Sequence, residues 1–273
     1  MTPYFEQLLL QDGVNHLQHN PCELLDFELL VLPAGESYAF STHEREYAAV
    51  MLVGTASFKV GGASFPRVGS RQDVFAGKPS LVYIPAGSEV SVESEVACEV
   101  ALCSAPGDVN TRPYSVQPDQ VVSGSWGTFN NARDYDFLIG PSTPSARLFI
   151  AEVKVSSGNW ATYPPHRHGV DNLETGERFQ EETYFYRVSP ERGFGLAGLY
   201  GERLGGDHAF LIRHNSIQKM PAGYHTLAAA PGYRLWYLAL YAGNTKSASP
   251  RLDPDHAWYQ QAETVLQRRS RVI

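Results

Sequence analysis

Three histidines and a carboxylate in the second half of the chain have the types and spacing of a metal site. Pro164-Pro165-His166-Arg167-His168 is followed by Glu182 within Glu181-Glu182-Thr183-Tyr184-Phe185-Tyr186, and then by His225 after Pro221-Ala222-Gly223-Tyr224. Side chains two apart on a strand share a face, so His166 and His168 point together while Arg167 points away. Neutral imidazoles with one carboxylate suit a single divalent metal ion, zinc first, with manganese, iron or nickel as alternatives. Four protein ligands leave one or two positions for substrate or water. A histidine alone in a strand is more often a hydrogen-bonded structural residue; the clustering of ligand types at workable spacing carries the reading.

The elements that would position these groups read as short strands. Glu182, Tyr184 and Tyr186 alternate with Thr183 and Phe185, and β-branched and aromatic residues suit a pleated, half-buried surface. Glu182 is therefore expected to face the same interior as the two tyrosines, with Glu181 as the competing carboxylate. The polar stretch from Gly169 to Glu181 reads as a hairpin loop, and Pro221-Ala222-Gly223 as a turn before His225. Runs such as Ala48 to Val53, Val96 to Leu102, Leu148 to Val155 and Leu235 to Tyr241 are short apolar or alternating segments. Helical pattern is confined to Ala257 to Arg269. With 24 glycines, 18 prolines and 12% aromatics, the composition suits many strands joined by tight turns.

The unit occurs twice. Pro85-Ala86-Gly87 repeats as Pro221-Ala222-Gly223, each after an apolar run, so 85 maps to 221 at an offset of 136, about half of the 273 residues. Self-similarity at a fixed spacing indicates tandem copies of one fold unit. The same offset carries Glu182 to Glu46 and His225 to Glu89, and the segment before Glu46 has His43 but no His-x-His. The first copy, residues 1–115, is thus expected to be a degenerate barrel without a metal. The second, residues 126–273, carries the site, and the proline-containing stretch Pro106 to Ser125 separates them.

Longer motifs carry a family resemblance. Ser157-Gly158-Asn159-Trp160-Ala161-Thr162-Tyr163-Pro164-Pro165-His166-Arg167-His168, Asp171-Asn172-Leu173, Glu181-Glu182-Thr183-Tyr184, Pro221 to His225, and Asp253-Pro254 with His256 and Trp258 resemble the 5-deoxy-glucuronate isomerases of inositol catabolism. These are related to the 4-deoxy-5-keto-uronate isomerases among the two-barrel cupins. Arg71, Val74-Phe75, Lys78-Pro79 and Val82-Tyr83-Ile84 extend the likeness into the first half. The resemblance implies an all-β bicupin, two tandem jelly-roll barrels with few short helices. It also implies conversion of 5-deoxy-D-glucuronate into 5-dehydro-2-deoxy-D-gluconate, with His166, His168, Glu182 and His225 as metal ligands. Two positions depart from the family pattern: Ala197-Gly198 replaces polar and basic residues before Tyr200, and Gly169 replaces an acidic residue.

Moving a carbonyl to the neighbouring carbon calls for a Lewis acid and a proton carrier. Tyr184 and Tyr186 are the catalytic candidates, although barrel tyrosines commonly serve as packing. A uronate carboxylate calls for a two-point arginine contact, and Arg187, with Asp171 in the loop, is the candidate for holding substrate. The same ligand set would serve a cupin iron dioxygenase, and a non-catalytic sugar-binding barrel is the other alternative.

A net charge of −7 opposes a nucleic-acid partner, which requires a basic face. No run is apolar for long enough to span a membrane, and Met1 to Glu6 lacks the pattern of a secretion signal, so a cytoplasmic location is expected. A small-molecule uronate is the expected partner, and cupin relatives suggest a homo-oligomer. Cys22, Cys98 and Cys103 form an odd set, with the latter two on opposite faces of one strand, which argues against a disulfide framework.

Overall fold

A computed structural model describes residues 2–107, 111–246 and 249–270, so that 108–110 in the stretch between the halves lie outside the described residues. The described residues form four antiparallel sheets and one α-helix, Tyr259–Ser270. A six-stranded sheet centred on Arg45–Val53 and Cys98–Pro106 faces a four-stranded sheet containing Ser37–Ser41 and Glu89–Glu93. A seven-stranded sheet centred on Gln180–Ser189 and Arg234–Gly243 likewise faces a five-stranded sheet containing Trp160–Arg167 and Tyr224–Ala229. The molecule is a double-barrel cupin.

Strand alternation sorts the side chains into three cores. In the second barrel, Val153, Val155, Tyr184, Tyr186, Leu235, Tyr237 and Ala239 point inward. Their sequence neighbours Phe185, Trp236, Leu238 and Leu240 point to the other side, where they meet Ala48, Val50, Leu52, Ala101 and Cys103 from the large sheet of the first barrel. The first barrel's own interior holds Ala49, Met51, Phe58, Val92, Val100 and Leu102. Both faces of the large sheets are covered, so their central strands read as nearly continuous apolar runs, and each fully buried Phe or Leu contributes about 1.5–3 kcal/mol. Cys98 and Cys103 fall on opposite faces, in different cores, and all three cysteines are free.

The halves also exchange parts. Phe5–Gln7, which lies within residues 1–115, pairs with Ser216–Met220 and so belongs to the second barrel's large sheet. Glu46 accepts hydrogen bonds from the backbone N–H groups of Ala146, Arg147 and Leu148 at 2.7–2.8 Å. Glu181 does the same for Glu23, Leu24 and Leu25 at 2.7–3.0 Å. Each carboxylate thus caps the chain entering the other barrel. The buried Arg71 binds Glu152 through both terminal nitrogens and donates to the carbonyls of Met51 and Leu52, tying the large sheets together.

This pairing corrects the register read from the tripeptide repeat. Glu46 stands opposite Ala105 and Glu181 opposite Ala242 in matching central strands, while Tyr47 and Glu182 pair with Ile84 and Met220, the residues just before the two Pro-Ala-Gly turns. Glu46 is the counterpart of Glu181, and Tyr47 of Glu182. The loops between strand and turn differ by one residue in length, and one residue reverses which face a side chain takes.

Candidate metal centre

Two strands bring the histidines together. His166 pairs with His225 across Trp160–Arg167 and Tyr224–Ala229, and His168 follows just beyond the first strand. The pairing slips between Ala161 and His166, so Thr162 to Pro165 form a bulge against the partner strand. His225 is set by the turn before it. Gly223 has φ +91°, and a Cβ there would strike Leu204 and lie 2.9 Å from the Tyr200 carbonyl, so only glycine fits.

Glu182 comes from the opposite sheet, on the inward face of Gln180–Ser189 with Tyr184 and Tyr186. One ligand atom from each of His166, His168, Glu182 and His225 lies within 4.8 Å of all the others. His166 is partly exposed and the other three are buried. Glu182 Oε2 is 2.9 Å from His225 Nε2 and 3.6 Å from His168 Nε2. Yet neither Glu182 oxygen and neither His168 ring nitrogen has a hydrogen-bond partner among the described residues. Each orphaned buried polar atom costs about 1–3 kcal/mol. A cation between them would satisfy these atoms together, so the residues present fit a divalent metal. His225 Nδ1 faces the Gly223 carbonyl at 3.5 Å, an orientation that leaves Nε2 for the cation.

The electrostatics agree with that use. Burial, together with the His225 and His168 charges, holds His166 well below its ordinary pKa of 6.5. Burial also lowers His168 to about 4, against the opposing pull of Glu182. For Glu182, burial pushes the carboxyl up, but the charges of the three histidines and the contact with His225 outweigh it and hold it at about 2. At neutral pH His166 and His168 therefore stand as free imidazoles and Glu182 as a carboxylate, the forms that bind metals.

The cluster opens on a cavity of about 550 Å³ lined by His166, His168 and Tyr241 together with Tyr237, Trp126 and Arg133. Phe137 and Phe149 form an apolar wall, and Gln260 and Glu263 reach in from the terminal helix. A larger groove of about 630 Å³, lined by Arg167, Tyr200 and Tyr224, contains none of the four clustered residues, and the cavity over the histidines is the better candidate for chemistry.

The other expected site residues are placed differently. Tyr184 Oη lies 3.5 Å from His225 Nε2, and Tyr186 donates to Gln218 at 2.6 Å; both are fully buried and neither lines the cavity. Arg187 points away from it, into the interface between the large sheets, and binds Glu99 at 2.6 Å and the His214 ring at 3.1 Å. It cannot receive a substrate carboxylate there. Asp171 is exposed and accepts from Phe179 N and Asn244 Nδ2, both at 3.1 Å, outside the cavity wall. Sequence reasoning passed over Arg133, Tyr237, Tyr241 and Glu263. The tyrosines were accessible, since they share strand phase with the inward Ala239; Arg133 and Glu263 come from remote segments with no local signal.

The fold is a cupin barrel with a clustered His, His, Glu, His set that could hold a metal ion beside a cavity. The chain belongs to the KduI/IolB family, whose profile matches residues 9–259. It is 32% identical over 250 residues to the 5-deoxy-glucuronate isomerase of Geobacillus kaustophilus, covering 91% of this chain and 90% of that protein. Identity to the Bacillus subtilis strain 168 protein of the same name is 31% over 236 residues, 86% and 87% of the two chains. Among solved structures, an IolB-like protein from Salmonella typhimurium LT2 superposes with a TM-score of 0.88 at 28% identity, covering 93% of this chain and 98% of that one. Lactobacillus farciminis oxalate decarboxylase superposes at 0.67 with 13% identity, covering 92% and 89%, a likeness of fold alone. The chain is an enzyme, an aldose–ketose isomerase. No helix among the described residues is long and apolar enough to cross a membrane.

Proposed function

We propose that this enzyme is metal-dependent and converts 5-deoxy-D-glucuronate into 5-dehydro-2-deoxy-D-gluconate, with His166, His168, Glu182 and His225 holding one divalent cation, zinc foremost. The observation that carries the reading is the buried set of unpartnered ligand atoms beside a cavity of sugar-acid size. The substrate comes from the names of the relatives. Bound there, a divalent metal supplies the Lewis acidity that stabilises negative charge developing on a substrate oxygen. Tyr241, whose ring lies 5.7 Å from that of His168, faces the cavity, and burial with the Glu182 charge pushes its hydroxyl pKa well up. It stays protonated and donates hydrogen bonds to substrate oxygens. Tyr184, buried behind His225, positions that ring. The aromatic wall of Phe137 and Phe149 limits the water reaching the reacting carbons.

The test is to strip the purified enzyme with a chelator and follow ketose formation from 5-deoxy-glucuronate before and after reloading. Activity should fall at least 100-fold and return with zinc or manganese. Unchanged turnover in metal-free protein defeats the proposal, and oxygen uptake by iron-loaded protein without ketose product favours a dioxygenase.

A further inference from the structure

We propose that Arg133 receives the substrate's carboxylate in the cavity over the histidines and so selects uronates over neutral sugars. This inference rests on the isomerase reading above and assigns the acid-binding role that Arg187 cannot fill. Arg133 begins the strand Arg133–Ile139, whose alternate residues Tyr135 and Phe137 share its face. Arg133 pairs with Val155, which pairs with Leu235. Tyr241 and Glu182 are paired six residues further along the same central strand. Arg133 and the histidines His166 and His168 thus line one cavity from separated levels of the sheet, and the long arginine side chain shortens the span between them.

The guanidinium is built in yet uncommitted. Nη1 donates to the Asn131 carbonyl at 3.0 Å, Cζ lies 5.7 Å from the centre of the Trp126 ring, and Nε is buried without a hydrogen-bond partner. Arg133 has no carboxylate partner within ion-pair distance among the described residues. In this it differs from Arg71, Arg167 and Arg187, which hold Glu152, Glu177 and Glu99. The turn before it is shaped to admit the group. Gly127 has φ +80°, and a Cβ there would strike the Asn131 carbonyl and stand 2.9 Å from Arg133 Nη1. The cavity's other full charge, Glu263, is engaged by Asn131 Nδ2 at 3.3 Å. An arginine in a partly desolvated cavity wall, with no carboxylate partner among the described residues, offers the two-point contact that a carboxylate matches and a hydroxymethyl group does not.

The experiment compares wild type with Arg133→Met, which keeps the aliphatic packing on Trp126, and Arg133→Lys, which keeps the charge but not the fork. For metal-loaded protein, KM for 5-deoxy-glucuronate should rise at least tenfold in Arg133→Met and less in Arg133→Lys. Metal content and thermal midpoint should match wild type, and kcat should change less than KM. Independently of turnover, calorimetry should show wild type binding D-glucuronate at least tenfold more tightly than D-glucose, with that preference lost in Arg133→Met. An unchanged KM and preference in Arg133→Met overturns the carboxylate role while leaving the isomerase reading intact. A wild type that turns over nothing defeats the parent reading, and the binding comparison then decides the role of Arg133 alone: no preference for glucuronate in wild type overturns it.

Discussion

At the scale of single residues, two adjacent glutamates divide the labour. Glu181 spends its lone pairs on three backbone N–H groups of the other barrel, whereas Glu182 turns inward with its oxygens unpartnered beside three imidazoles. The consequence for metal-free protein is an acid-sensitive fold. Unfolded histidines take up protons near pH 6.5, but folded His166 is held well below that and His168 at about 4. Between pH 6.5 and 4 the unfolded state therefore binds more protons, so stability rises with pH and is lost as pH falls through this window. Glu182, lowered from 4.5 to about 2, contributes stability above its unfolded value that disappears only as pH falls from 4.5 toward 2. Unfolding free energies of chelated protein from urea titrations should thus decline from pH 7 to pH 4.5, by about 1 kcal/mol per pH unit for each of His166 and His168 at the steepest point. Chelated His168→Ala should show a shallower decline, and a flat profile in the unsubstituted protein would contradict the placement of these rings.

At the scale of strands, parity decides what a side chain can do. The alternation Glu182, Tyr184, Tyr186 was legible in the sequence because a central strand buried on both faces still obeys a period of two. The same count excludes Arg187, which shares phase with Glu181 and Phe185 and so leaves the barrel. The repeat misled where it crossed a loop. An offset fixed at the Pro-Ala-Gly turn slipped by one residue on the way back to the glutamate, joining Glu46 to Glu182 instead of Glu181. Arg133 was not legible at all, because a strand about 30 residues before the histidines, one in from the sheet edge, enters their cavity only through sheet pairing. If Arg187 serves the interface, Arg187→Met should leave KM for the uronate unchanged. It should also lower stability by about 2 kcal/mol, below the usual cost of breaking a buried pair because Glu99 keeps some contact with water. Urea unfolding and steady-state kinetics on one preparation check both halves of that expectation.

At the scale of the molecule, the barrel that lacks the ligand set is bound to the one that has it. At the positions matching His166, Glu182 and His225 the first barrel has Ser41, Tyr47 and Glu89, and His43 stands two residues after Ser41 as His168 does after His166. Its contacts with the second barrel are extensive. A shared apolar core, reciprocal capping by Glu46 and Glu181, the Arg71–Glu152 pair and the crossing strand Phe5–Gln7 all run between the halves. Contacts of that extent predict that the barrels unfold as one cooperative unit, against the usual independence of separate domains. The chain provides its own reporter, since all four tryptophans, Trp126, Trp160, Trp236 and Trp258, lie in the second half. Phe58 is fully buried in the first barrel's private core, and Phe58→Ala should cost about 3–5 kcal/mol. If the halves are coupled, the tryptophan fluorescence midpoint in urea shifts down by the same amount as the midpoint from far-ultraviolet circular dichroism. If they are independent, the fluorescence transition stays at its wild-type position while only part of the dichroism signal moves, and the first barrel then contributes nothing to holding the metal centre together.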